Sequence, residues 1–310
     1  VLSEKAKVKK TDAIFVRVWL IGTLGALTLL IASVCFFHTD SFSLNKIKPP
    51  GDFSFQATLP NSQKDLQNVR AIISQPYTYL TEGGESYVFV SQDQQYVLKF
   101  FKMKRLTPKY WLNYIPLPWL DKKRLDKIDE RERVRQQFFG GLKIAFEQFR
   151  YQTGLTFLHL FRTQYLKMKV RITDKEGKSF EVPIDQVPFL LQRKAVILPD
   201  YIDSLVSRGK KEEAVRALCQ VLELVKSTSQ KGFIHTTENV QSDYGFIDDR
   251  PIYVRSVYAK EESYPSAPGS ALKEVFSLSH SIRSWLERNH PELVPDYLEE
   301  VQDLLSYLED

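Results

Sequence analysis

Cysteine is nearly absent from this chain, with two residues, Cys35 and Cys219, among 310. One lies in an apolar run and the other in a segment of helical pattern, so they are not expected to pair. No cluster of cysteine and histidine has the spacing of a metal site, and no bound metal is expected. A strong charge of either sign is also missing. The formal net charge is +5, too mild to mark a nucleic-acid surface. There is no low-complexity run and no internal repeat, which excludes a disordered tail or a solenoid as the main architecture. Only five histidines occur. His159, His235 and His280 stand alone in the sequence, which favours core or surface roles over catalysis. Aromatic residues, by contrast, are plentiful, with 20 Phe and 15 Tyr, and they favour a well-filled core.

Charge disappears altogether from Val18 to Phe37, a run of 20 residues. At about 1.5 Å per residue such a helix reaches roughly 30 Å, the thickness of a bilayer's hydrocarbon core. A transmembrane helix is therefore expected over residues 14–37. A buried core helix is usually shorter. A cleaved signal peptide has a shorter apolar region and a small-residue cleavage site, whereas this run ends Val34-Cys35-Phe36-Phe37. Lys5, Lys7, Lys9, Lys10 and Arg17 precede or begin the run, and only Lys46 and Lys48 follow closely. The positive-inside rule then puts the N-terminus in the cytoplasm. In a bacterium this reads as a single-pass inner-membrane protein with a periplasmic main domain, where ATP is not supplied. The expected organisation is a basic tail at 1–13, the span at 14–37, a linker at 38–60 containing Pro49-Pro50-Gly51, a strand-rich lobe at 61–195 and a helical lobe at 196–310.

Residues 61–75 have helical character. Alternating apolar residues then predict strands at Tyr77–Leu80, Tyr87–Val90 and Tyr96–Lys102, separated by turns. Prolines 108, 116 and 118 make 103–125 an irregular insertion. Val134, Phe138, Leu142, Ala145, Phe146 and Phe149 recur at helical spacing and predict a long helix from Asp129 to Tyr151, with Gly140-Gly141 as a bend. Strands follow at 155–160, 166–173, 179–183 and 187–196. Helices dominate afterwards, at 200–208, 211–230, 271–289 and 292–309. Leu293, Leu298, Val301, Leu304, Leu305 and Leu308 give the last one an amphipathic face that suits closing a core. The fold class read from this order is α+β.

Three segments carry the functional argument. Tyr96-Val97-Leu98-Lys99 puts a lysine in the third strand. Lys231-Gly232-Phe233-Ile234-His235-Thr236-Thr237 follows the 211–230 helix. Arg255 lies 18 residues beyond Thr237, after a hairpin around Asp248-Asp249-Arg250-Pro251. This pattern resembles the protein-kinase family over about residues 75–300. It is also similar to an uncharacterised family of membrane-anchored chlamydial proteins with a degenerate kinase-like pattern, a likeness that brings no known activity.

The resemblance implies a two-lobed kinase-like domain with an antiparallel sheet and one helix ahead of a helical lobe. It implies that Lys99 is the phosphate-binding lysine, paired with Glu147 on the following helix. A structure lacking that pair would favour an unrelated α+β protein. His235 takes the place of the family's structural histidine. Thr237 stands where the catalytic aspartate belongs, and Arg255 where the metal-binding aspartate belongs. A threonine has no basic oxygen at neutral pH, and an arginine repels a divalent cation. Asp243, near the position of the metal-binding asparagine, is expected to form a salt bridge with Arg255. Gly83 and Gly84 match the phosphate loop only in part, and a plain hairpin turn reads equally well there.

The expected function is a pseudokinase-like binding or scaffold module without catalytic residues. No cofactor is expected, with ATP and Mg²⁺ belonging to the alternative of an atypical nucleotide-binding enzyme. The other alternative is a non-kinase envelope protein. An unknown protein partner would meet the helical lobe or the hinge strand Leu190-Leu191-Gln192. The insertion carries Trp111, Tyr114 and Trp119 among basic residues. It reads either as a membrane or partner contact or as packing over the small lobe.

Overall fold

The computed structural model describes residues 19, 22–28, 30, 42–49, 63–107, 121–232, 239–255 and 270–309. The chain divides into two compact units, Val1–Phe42 and Ser43–Asp310. In the first, helix is described over residues 22–28, and the Thr23 and Thr28 hydroxyls each donate to a carbonyl one turn back, those of Trp19 and Leu24, at 3.0 Å. Among the described residues no helix is long and apolar enough to cross a membrane. The expected transmembrane helix, and the membrane anchoring built on it, are therefore not supported.

The second unit is mixed α+β. A single turn, α1 (Leu44–Ile47), buries Ile47 completely and packs on α3 (Met103–Leu106). The Arg162 side chain donates to the Pro49 carbonyl at 3.2 Å. This part of the expected linker is thus fastened to the folded unit. Helix α2 (Gln63–Ile73) leads into three antiparallel strands, β1 (Tyr77–Glu82), β2 (Ser86–Ser91) and β3 (Tyr96–Phe101). Helix α4 (Asp121–Gln148) begins earlier than its apolar stripe predicts. Residues 121–128 consist of Lys, Arg, Leu, Asp and Ile, mostly good helix formers, and propensity extends the helix where packing does not demand it. It runs through Gly140-Gly141 and breaks at Phe149, whose φ of −122° and ψ of 27° are not helical. A short α5 (Arg150–Thr153) follows, closed by left-handed Gly154 at φ 63°.

The strands β4 (Leu155–His159), β5 (Lys169–Thr173), β6 (Ser179–Pro183) and β7 (Phe189–Arg193) complete a seven-stranded sheet of order β4-β7-β3-β2-β1-β5-β6. All pairings are antiparallel except β1 with β5. The β5–β6 hairpin is therefore a detour. The chain leaves the β4 edge, adds two strands beyond β1, and returns to insert β7 between β4 and β3. At the start of that detour His159 is buried. Its Nδ1 lies 2.9 Å from the Val187 carbonyl and its Nε2 lies 3.0 Å from the Thr163 hydroxyl. Burial pushes its pKa down to about 4, against the hydrogen bond to Val187 and the nearby Asp185 charge.

A second, three-stranded sheet has the order β10-β9-β8, from β8 (Val196–Ile197), β9 (Tyr244–Ile247) and β10 (Arg250–Tyr253). Its tight turn holds Asp248 and Asp249 at φ 51° and 58°, a conformation that normally favours Asn or Gly. Their side chains anchor the strain. Asp248 pairs with Arg193 at 3.0 Å, and Asp249 accepts from the Tyr201 hydroxyl at 2.7 Å.

Helices α6 (Leu198–Ser207), α7 (Lys211–Ser229), α8 (Ser270–Asn289) and α9 (Val294–Glu309) make up the rest. Val275, Leu278, Ile282, Trp285 and Leu286 recur at helical spacing along α8 and pack against α7, which is buried on most of its circumference. One hydrophobic cluster runs from α9 and α7 through α4 to Phe101 at the end of β3. There Phe101, Phe138 and Phe139 meet edge to face at centroid distances of 5.2–5.6 Å. Each fully buried Phe contributes about 1.5–3 kcal/mol by transfer alone, so this trio welds α4 to the sheet.

Candidate functional site

Lys99 sits in the middle of β3, opposite Val88 on β2 and Leu190 on β7. Its side chain leaves the sheet on the face where Leu142 and Ala145 of α4 lie, and it is only 6% exposed. The ammonium donates to the Val254 carbonyl at 2.6 Å. Loss of hydration on burial, and then the positive charge of Arg255, lower its pKa to about 8.

The expected Lys99–Glu147 pair does not form. Glu147 is half-exposed on α4 and lies 4.0 Å from Lys143, one turn back. Phe146 and Phe149 take the buried face of that turn, which turns Glu147 outward. The α4 residues lining the cavity beside Lys99 are Leu142 and Ala145. The helix thus presents an apolar surface where a kinase would need an acid.

Asp243 lies just before β9 and has no exposed surface. Its carboxylate accepts the Asn239 N–H at 2.8 Å and the Ser242 hydroxyl at 2.9 Å. Arg255, which follows β10, approaches it with Nη1 at 3.6 Å. The backbone sets this meeting, because the Val254 N–H donates to the Asp243 carbonyl at 2.8 Å. Arg255 is thereby brought beside the Asp243 carboxylate and near enough to Lys99 to act on its charge.

Gln192 on β7 was expected only as part of a partner-facing strand, with no role beside Lys99. It is 3% exposed. Its Nε2 donates to the carbonyls of Thr153 at 2.6 Å and Tyr253 at 3.1 Å, tying β7 to α5 and β10. The signal for it was a lone amide ending the apolar run Phe189-Leu190-Leu191. The expectation that Leu190, Leu191 and Gln192 present a partner surface fails, since all three are buried in a strand flanked by β3 and β4. Between Lys99, Gln192, Thr153, Val254 and Arg255 on one side and the apolar Leu142, Ala145, Leu155 and Leu190 on the other, a cavity of about 10 Å³ remains.

Gly83 and Gly84 form the β1–β2 hairpin turn. The Gly83 N–H donates to the Ser86 carbonyl at 2.9 Å, and Arg105 donates to the Gly84 carbonyl at 2.9 Å. Among the described residues, a β-carbon at either glycine would meet nothing within 4 Å. His235 and Thr237 lie outside the described residues, as do Trp111, Tyr114 and Trp119. Among the described residues no three His, Cys, Asp or Glu side chains converge as metal ligands.

No protein-family model matches this chain. None of the curated proteins is significantly similar to it. The functional reading therefore rests on the geometry.

A separate groove of about 420 Å³ lies on the helical side. Asn239, Val240 and Gln241 form one wall, and the α8 residues His280, Ser281, Ser284, Trp285 and Arg288 form the other. It is open, its lining is as apolar as it is polar, and none of the residues expected to act in the site lines it.

Proposed function

We propose that this chain is a kinase-like module that acts by binding a protein partner and does not transfer phosphate. The order of elements supports the reading: three antiparallel strands, a long helix, further strands, a short link and then helices. So does the convergence of Lys99 with the residues after the β9–β10 hairpin.

The observation that carries the loss of catalysis is the Arg255 guanidinium. It lies 3.6 Å from the buried Asp243 carboxylate and acts electrostatically on Lys99. Phosphoryl transfer depends on metal ions that bridge and neutralise the phosphates. In this reading a cation stands where a metal ligand is required, and the nearest carboxylate is already engaged. The remaining space of about 10 Å³ compares with roughly 300–1,000 Å³ for ordinary ligand pockets.

A second reading has its own support. The missing Lys99–Glu147 contact favours an α+β protein unrelated to kinases. Both readings predict the absence of phosphotransfer, and they differ in whether the Lys99 site descends from a nucleotide cleft.

The direct test is thermal unfolding of the full chain with ATP, with and without Mg²⁺, alongside Lys99→Ala. No shift with either addition is the expected result. A rise in melting temperature that Lys99→Ala abolishes would overturn the proposal and establish a nucleotide site.

A further inference from the structure

The orientation of the Gln192 amide is dictated by its neighbours. Both groups that its Nε2 meets, the carbonyls of Thr153 and Tyr253, can only accept. Turning the amide over would set its oxygen against two other oxygens. Both amide protons are therefore committed, and Oε1 must point the other way. There it is buried and meets no donor among the described residues. A buried acceptor without a partner is destabilising, and such atoms in folded proteins are nearly always satisfied by something.

Lys99 lines the same cavity. Its ammonium has three protons and uses one on Val254, so two further donors remain in a site with little access to solvent. An occupant of this cavity has to donate to Gln192 and accept from Lys99. A metal cation does neither and is repelled by Lys99 and Arg255. A simple anion accepts but does not donate. An apolar group satisfies neither side. A cavity of about 10 Å³ is near the smallest that holds one water molecule, and anything larger than a water is excluded.

We propose that the base of this cleft is a binding site for a single water molecule, which donates to Gln192 Oε1 and accepts from the Lys99 ammonium. This water links β7 to β3 by side chains as well as by the ladder between them. It also gives the buried ammonium a second polar contact. The proposal stands on the amide geometry and the cavity, and it holds whether or not the protein is kinase-like.

Two measurements on the full chain test it. In a high-resolution crystal structure, a water within hydrogen-bond distance of both Gln192 Oε1 and Lys99 Nζ is the expected result. A dry cavity, or a water bonded to only one of the two, overturns it. In solution, Gln192→Met removes the acceptor and fills its space. The Lys99 titration, read as the difference in stability from the same chain carrying Lys99→Met, should then move to lower pH because the ammonium loses its water. An unchanged titration overturns the proposal. If Gln192→Met does not fold, the wild-type crystal structure decides alone.

Discussion

Replacing Lys99 by Met tests the electrostatics of the cleft directly. In the folded chain the Lys99 pKa is held at about 8, against an ordinary value of 10.5, with burial as the main cause and Arg255 the second. The unfolded chain therefore binds this proton more tightly. Below about pH 8 both states carry it and the penalty on folding is at its full, constant size. Between about pH 8 and 10.5 the folded state releases the proton while the unfolded state keeps it, so stability rises with pH. Above that range the contribution is flat. The span corresponds to about 3 kcal/mol.

At neutral pH the gain from removing the charge is offset by the lost bond to the Val254 carbonyl. A charge-assisted hydrogen bond is worth about 1.5–3 kcal/mol, so the net change at pH 7 is small, between about zero and a modest stabilisation. The discriminating quantity is the difference between the two proteins across pH. Urea unfolding of wild type and Lys99→Met at steps from pH 7 to 10.5 cancels the other lysines and tyrosines. Wild type should gain about 3 kcal/mol on the variant over that interval. Parallel profiles would mean that Lys99 is not desolvated in the folded state, and the account of a closed, cationic cleft would fall with it.

Three further perturbations give separate checks. A β-carbon at Gly245 would lie 2.6 Å from the Val196 carbonyl oxygen and 2.8 Å from a Val254 methyl, so Gly245→Ala should cost about 3 kcal/mol in denaturant unfolding; a neutral substitution would show that β8 and β9 are not this close. His159 is pushed down to about 4 from 6.5, so its contribution is intact above about pH 6.5 and is lost as pH falls toward 4, by about 3 kcal/mol. His159→Phe should remove that acid-side slope, and an unchanged slope would refute the burial of a neutral imidazole. Asp243→Ala strands the Asn239 N–H and leaves Arg255 beside Lys99; about 3 kcal/mol should be lost, and Arg255→Ala should recover part of it in a double-mutant cycle.

Local patterns in the sequence were informative about individual elements. Alternation marked β2 and β3 and therefore put Lys99 in a strand, and apolar spacing marked α4 and α9. The meeting of Asp243 with Arg255 was expected only from the positions that the kinase resemblance gives them. Long-range geometry was not legible. Which face of α4 meets Lys99 depends on how Phe138, Phe139, Phe146 and Phe149 share the core, and a rotation of about half a turn exchanges Glu147 for Ala145. The parallel contact of β5 with β1 has no local signature, because strand pairing across roughly a hundred residues is set by the whole sheet. The 14–37 expectation failed for a different reason: hydropathy and length measure what a segment could do in a bilayer, and among the described residues no helix meets what a span requires. Gln192 was readable as an oddity in an apolar strand, but its role appears only when two carbonyls from distant elements are set beside it.

The bonds from Gln192 and Lys99 have a mechanical consequence. Gln192 fastens β7 to both Thr153 and Tyr253, and Lys99 fastens β3 to Val254. A hinge works when the two bodies it joins are connected by little beyond the hinge itself. Here two buried side chains bolt the large sheet to the small one directly behind the Lys194–Ala195 link, so bending that link requires pulling the Tyr253 and Val254 carbonyls off their donors in a nearly dry interior. Residues 77–101 and 189–255, where described, are thereby braced as one stiff frame, and a partner would meet a surface of fixed shape instead of a cleft that opens and closes.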